Sequence, residues 1–245
     1  MTELSPIISM AGPWDIDGIR YSTVGRTYPH CQVRIVAPDD PQRTLEVGER
    51  GEVVGTGMVM QGYWRDARLT SQVFLVTNGE DGTDTIWMRT GDEGMMDKDG
   101  YLTITGRIKD IIVRGGENIY PAEIEDILLR QPNVRSVAVV GLDDPLYGET
   151  VAAFVVPECS ARVQASKADA NTFDLREKGE ISQLTTRGSE IAISAENIRT
   201  GALVMLSKYQ SPKYVFWVDE LPMTPSGKIE KFKLVALGAR ALSQG

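Results

Sequence analysis

The stretch Gly106–Glu125, GRIKDIIVRGGENIYPAEIE, decides how the chain is read. Its first half contains DIIVRGG, a short apolar strand that ends in a Gly-Gly break. Its second half opens a helix that runs on through NIYPAEIEDILLRQPN. Pro121 suits the first helical position, where its missing N–H would have no partner anyway. Glu123, Glu125 and Asp126 complement the positive end of the helix dipole. Ile124, Ile127 and Leu128 recur at helical spacing and make one apolar face. Arg107, Lys109 and Arg114 gather three cations around the strand entrance. Gly115-Gly116 lets backbone approach a ligand with no Cβ in the way, and a helix starting near Pro121 can aim free N–H groups at an anion. Each cation alone reads as an ordinary strand-edge charge. The twenty-residue string as a whole is not explained that way.

Working outward, RSVAVVGL and TVAAFVV are strong β runs downstream. SAENIRTGALVMLSK is a second amphipathic helix with Ser194 as its N-cap, and YVFWVDEL is a last strand. The order from Tyr120 is helix, strand, strand, helix, strand, which predicts a compact α+β domain. Upstream the chain is β-rich. CQVRIVAP alternates at period two and ends in the turn cluster PDDPQ, and RGEVVGTGM is a strand-like run broken by glycines. TIWMRTGDEGMMDKDGYLTITGR reads as strand, turn, hairpin and strand, with Asp99-Gly100 as the hairpin turn. Short strands with turns between them predict a small sheet or distorted barrel. The expected fold class is therefore α+β, with a β-rich part over residues 1–108 and a small α+β domain over 109–245. Between Pro157 and Ile193 the composition turns polar without sustained periodicity. A mobile surface insertion is expected at about 157–193.

The 245 residues are 42% hydrophobic and 24% charged, ordinary for a globular protein with a sizeable core. There are 26 Lys+Arg against 34 Asp+Glu, a net charge of −8. That balance argues against a nucleic-acid surface and leaves room for an anionic substrate in a local basic pocket. Cys31 and Cys159 lie far apart with no CxxC spacing, so neither a zinc site nor a disulfide framework is expected. The single histidine, His30 in TYPHCQ, is read as structural, which speaks against His-based nucleophilic catalysis. No run of 18 apolar residues predicts a membrane span. MTELSPIISM has no signal-peptide pattern, and LSQG is not a peroxisomal address. A cytoplasmic location is expected.

Two further motifs carry chemistry. RTGDEG (Arg89–Gly94) sets Asp92 in a glycine-flanked turn, where a carboxylate can accept hydrogen bonds from vicinal hydroxyls. LPMTPSGKIEK (Leu221–Lys231) sets Lys228 after Pro-Ser-Gly. By its own residues Lys228 is a phosphate-gripping lysine, a catalytic lysine or an ordinary charge on a solvated hairpin.

Together, in this order and at these distances, RTGD, GRIKDIIVRGGENIYPAEIE and PMTPSGKIEK resemble the adenylate-forming superfamily of acyl-CoA synthetases, luciferases and adenylation domains. MTELSP resembles the tail of a fourth motif, Tyr-Gly-x-Thr-Glu, and GERGEVVGTGMVMQGYWRDARLTSQVF resembles the connecting region. The resemblance covers nearly the whole chain except about Pro157 to Ile193. It implies a distorted-barrel remnant of a large AMP-binding domain over 1–108 and a C-terminal lid domain over 109–245. It implies that Thr2 contacts the α-phosphate of ATP, that Glu3 helps hold Mg²⁺, and that Asp92 binds the ribose with Arg107 nearby. Lys109 takes the hinge position, Gly115 and Gly116 line a pantetheine tunnel, and Lys228 is the catalytic lysine of adenylation. The implied reactants are a small carboxylic acid, ATP and CoA.

The superfamily's Gly-rich phosphate loop, of the type Ser-Gly-Thr-Thr-Gly-x-Pro-Lys-Gly, does not occur in the 245 residues. The resemblance places it, with the acyl pocket, upstream of Met1. The expectation is a C-terminal portion of an acid–CoA ligase that does not adenylate alone. The alternatives are a piece of a peptide-synthetase adenylation domain and a non-enzymatic stand-alone lid domain.

Overall fold

Pro121 opens the predicted helix, which spans Pro121–Leu129 with Tyr120 as its cap residue. The computed structural model describes residues 1–78, 84–158, 162–164, 171–176 and 192–244. The chain divides into two compact units, Met1–Lys109 and Asp110–Gly245.

The first unit contains strands β1 (Ser9–Met10), β2 (Arg26–Thr27), β3 (Gln32–Val36), β4 (Gly51–Thr56), β5 (Phe74–Asn78), β6 (Asp84–Met96) and β7 (Leu102–Arg107). Its short helices are α1 (Asp17–Ser22) and α2 (Ala67–Val73). All pairings are antiparallel. The long β6 organises the sheet: β4 pairs along one edge, and β5 then β7 follow each other along the other. Alternation puts Val36, Val54, Leu75 and Trp87 on one face and Ile35, Val53 and Leu102 on the other. The Asp99-Gly100 turn forms as expected. Gly100 N donates to Asp97 O, and the Asp97 carboxylate accepts from Asp99 N and Tyr101 N.

The second unit contains β8 (Ile112–Arg114), β9 (Glu117–Ile119), α3 (Pro121–Leu129), β10 (Val134–Asp144) and β11 (Gly148–Pro157). They are followed by β12 (Arg162–Gln164), β13 (Thr172–Asp174), β14 (Ala192–Ser194), α4 (Ala195–Leu203), β15 (Tyr214–Trp217) and α5 (Lys231–Gln244). β11 is central. β10 pairs antiparallel with it, β15 pairs parallel, and β8 joins at Gly148. Both faces are covered, which is why β10 and β11 read as continuous apolar runs. Ile124 and Leu128 of α3 and Ile198 and Ala202 of α4 pack with Val139, Val151, Ala153 and Trp217. Leu234 of α5 packs on the opposite face with Val140, Leu142, Phe154 and Phe216. Ser194 caps α4 in a capping box with Asn197.

The stretch 157–193 is not all loop. β13 pairs with β15, and Phe173 stacks on Phe216 at 4.9 Å. β12 pairs with β14. The rest of the predicted insertion, with Cys159, lies outside the described residues.

Candidate functional site

RTGD sits on a bulge of β6. Between the pairs Val54–Arg89 and Glu52–Glu93, β6 advances four residues while β4 advances two. The extra backbone carries Thr90, Gly91 and Asp92 out of the ladder with β4. A buried carboxylate holds it there. Arg89 donates to Glu52 Oε2 from Nε at 2.8 Å and Nη2 at 2.6 Å, and Gly91 N donates to Glu52 Oε1 at 3.2 Å. The Glu52 side chain is 3% exposed. Thr90 Oγ1 donates to Val53 O and accepts from Asp92 N. Asp92 is thereby set beside Arg107, its register partner on β7, with Arg107 Nε 2.9 Å from Asp92 Oδ1. Both side chains are partly exposed, so this corner can meet a polar ligand.

Thr2 and Glu3 lie in the turn Thr2–Leu4, anchored by the buried Leu4. Thr2 is exposed and Glu3 half-buried. Tyr63 Oη donates to Glu3 Oε1 at 3.3 Å, and Met60 N donates to Glu3 O at 2.9 Å. Burial raises the Tyr63 phenol above its ordinary pKa, and the Glu3 charge adds to the rise. No group of three or more metal-ligating side chains forms among the described residues, so Glu3 offers a single hard carboxylate. Lys109 is exposed in the turn Ile108–Asp110, at the end of this unit.

In the second unit, Gly115 and Gly116 are the two central residues of the β8–β9 hairpin. Their φ values of 60° and 88° are those a two-residue primed turn demands. Lys228 ends another tight hairpin. Met223 and Ile229 form an antiparallel bridge, Gly227 N donates to Thr224 O, and Lys228 N donates to Thr224 Oγ1. Gly227 takes φ 81°, and Pro225 presets the turn before it. The Lys228 backbone is fixed while its side chain is exposed, and no partner for its ammonium occurs among the described residues.

Thr2, Glu3, Asp92, Arg107 and Lys109 belong to the first unit, and Gly115, Gly116 and Lys228 to the second. Within the first unit Asp92 and Arg107 are brought into contact and Thr2 and Glu3 share one turn; within the second, Gly115 and Gly116 share another.

Residues 123–228 match the family model described as the AMP-binding enzyme C-terminal domain. The chain is 36% identical over 252 residues to "Acyl-CoA ligase SID4" of Ajellomyces capsulatus, covering all of this chain and 37% of that protein. It is 36% identical over 234 residues to "Putative acyl-CoA synthetase YngI" of Bacillus subtilis, covering 95% of this chain and 36% of that protein. Among solved structures, MatB from Rhodopseudomonas palustris with bound ATP matches at TM-score 0.72 and 28% identity, over 97% of this chain and 39% of MatB. Along nearly its whole length the chain is similar to members of the adenylate-forming superfamily. It spans little more than a third of the length of these curated relatives. The mixed α+β architecture expected from sequence is the one this superfamily shares.

Several residues that build these settings escape the sequence reading. Glu52 and Arg89 brace the RTGD bulge across 37 residues of chain. Tyr63 holds Glu3 across 60. Asp144, Tyr147 and Lys213 connect the Gly115-Gly116 turn to the core sheet. Glu52, Tyr63, Asp144 and Lys213 stand outside any local pattern, because each meets its distant partner only through the tertiary fold.

Proposed function

We propose that these 245 residues form the C-terminal portion of an ATP-dependent acid–CoA ligase. Such an enzyme joins a small carboxylic acid to ATP as an acyl adenylate, releases pyrophosphate, and passes the acyl group to the thiol of CoA. Residues 1–108 would complete the large AMP-binding domain, and 109–245 would form its lid. The observation that carries this reading is Lys228: an exposed ammonium with no partner among the described residues, at the end of a hydrogen-bonded hairpin.

Adenylation brings two anions together. The carboxylate attacks the α-phosphorus, and negative charge builds on the phosphoryl oxygens. An ammonium placed against both lowers that barrier electrostatically. Lys228 suits this role, since among the described residues its charge is not already spent on a neighbouring carboxylate. Asp92 would accept the ribose hydroxyls with Arg107 beside it, and Thr2 would contact the α-phosphate. Glu3 fits a Mg²⁺ ion only as one oxygen ligand, the others coming from substrate phosphate and water. That ion would neutralise the leaving pyrophosphate. Lys109 would act as the hinge that lets Lys228 withdraw, and Gly115 and Gly116 would then line the path of the thiol.

The test is ATP- and CoA-dependent thioester formation over a panel of carboxylic acids. It compares the 245-residue chain with the ligase expressed from its extended reading frame. The proposal predicts activity in the extended form and none in the 245 residues alone. Activity in the 245 residues would refute the mechanism, and inactivity of both would favour a non-enzymatic lid domain.

A further inference from the structure

The β8–β9 hairpin that carries Gly115 and Gly116 is tied to one short segment, Tyr147–Glu149. Gly115 N donates to Tyr147 O at 2.8 Å. The Arg114 guanidinium lies 5.0 Å from the centre of the Tyr147 ring, and a Cβ on Gly115 would meet that ring at 3.4 Å. Arg114 pairs in register with Gly148, and Val113 N donates to Glu149 Oε2 at 2.6 Å. Among the described residues a further hydrogen bond, from Arg114 Nη1 to Tyr209 O, comes from elsewhere, and Ile112 and Ile119 seat the far end of the hairpin in the core. Where Tyr147 sits therefore sets where the glycine turn sits.

Tyr147 is in turn held by Asp144. Asp144 Oδ1 accepts from Leu146 N at 3.0 Å and Tyr147 N at 3.1 Å. Its Oδ2 accepts from Lys213 Nζ at 2.7 Å. The Asp144 side chain is 4% exposed, whereas Leu146 is 77% exposed and Tyr147 45%. A turn this exposed has little packing to fix it, and the buried carboxylate supplies what packing does not. Lys213 is anchored in the core sheet, with its N–H donating to Val151 O. The linkage thus runs from the sheet through Lys213, Asp144 and the Tyr147 backbone to the Gly115 amide.

We infer that Asp144, held by Lys213, is the positioning residue for the Gly115-Gly116 turn, and so for the thiol step rather than for adenylation. The second half of this inference rests on the ligase reading above.

The first test needs no activity. Amide hydrogen exchange is followed by NMR in the 245-residue chain and its Asp144→Asn, Lys213→Met and Lys213→Arg variants. Asp144→Asn puts an amide where both carboxylate oxygens are engaged as acceptors. Gly115 protection should fall at least about tenfold in the first two variants, the factor expected when one hydrogen bond's worth of local stability is lost. Phe154 and Val215 amides in the core sheet should keep theirs, and Lys213→Arg should restore Gly115. Unchanged Gly115 protection, or a loss spread equally over the core amides, overturns the inference. In the extended ligase, Lys213→Met should raise KM for CoA by up to about 10²-fold, the scale of a small misplacement near the chemistry. ATP–pyrophosphate exchange should stay unchanged. Equal loss of both steps overturns the role in the thiol step. Absence of exchange in the unsubstituted ligase sinks the ligase reading instead, and the hydrogen-exchange data on Gly115 still decide the positioning.

Discussion

Glu52→Ala tests whether the RTGD bulge is held by its buried carboxylate. Glu52 accepts two hydrogen bonds from Arg89 and one from Gly91 N, with its side chain 3% exposed. Removing one member of a buried ion pair costs about 3–5 kcal/mol, because the other is left charged and unpaired. Arg89 is 34% exposed and can turn toward water, so Glu52→Ala should fall near the lower end, about 3 kcal/mol. The reciprocal change, Arg89→Ala, strands the charge that cannot reach water and should cost more. Urea unfolding followed by tryptophan fluorescence reads both, since Trp87 is buried in this sheet beside β5. With a slope of about 1–3 kcal/mol per molar urea, the midpoint should move by about 1 M or more. A loss below about 1 kcal/mol, the value of an exposed pair, would refute the reasoning. So would Arg89→Ala proving the milder change.

Other predictions rest on single contacts. The Lys213 ammonium holds the Asp144 carboxyl at about 2 against an ordinary 3.8, with hydrogen bonds from Leu146 and Tyr147 adding to the effect. This depressed pKa contributes stability that is present above about pH 3.8 and lost as pH falls toward about 2. Melting temperature across that range should drop more steeply in the native chain than in Asp144→Asn. Ser194→Ala removes the oxygen that accepts from Asn197 N and should cost about 1 kcal/mol by chemical denaturation. Gly227→Ala forces a side chain onto φ 81° and should cost about 1–2 kcal/mol, read by the same method.

What is legible in the sequence is what local chemistry controls. Pro121 at a helix start, Ser194 at a cap and Asp99-Gly100 at a turn each act within a few residues, and each stands where the sequence places it. The sequence reading ends at Lys231 and so omits α5. Yet its apolar positions, Leu234, Leu237, Ala241 and Leu242, recur at three- and four-residue spacing and are a visible helical signal. β13 offers no such signal: a three-residue strand has too few positions to show a period, and its place comes from the aromatic face of Phe216. The site shows the same division. Asp92, Gly115, Gly116 and Lys228 stand in recognisable strings. Glu52, Tyr63, Asp144 and Lys213 are single residues whose partners lie 37 to 69 positions away. Only the tertiary fold makes them neighbours.

The central claim is that Lys228 stabilises the charge that develops during adenylation. Its most direct test is ATP–pyrophosphate exchange by the extended ligase, with and without Lys228→Ala. Loss of one such stabilising group is typically worth about 3–4 kcal/mol, so exchange should fall by a factor on the order of 10²–10³. Exchange that survives Lys228→Ala at close to its full rate would contradict the account.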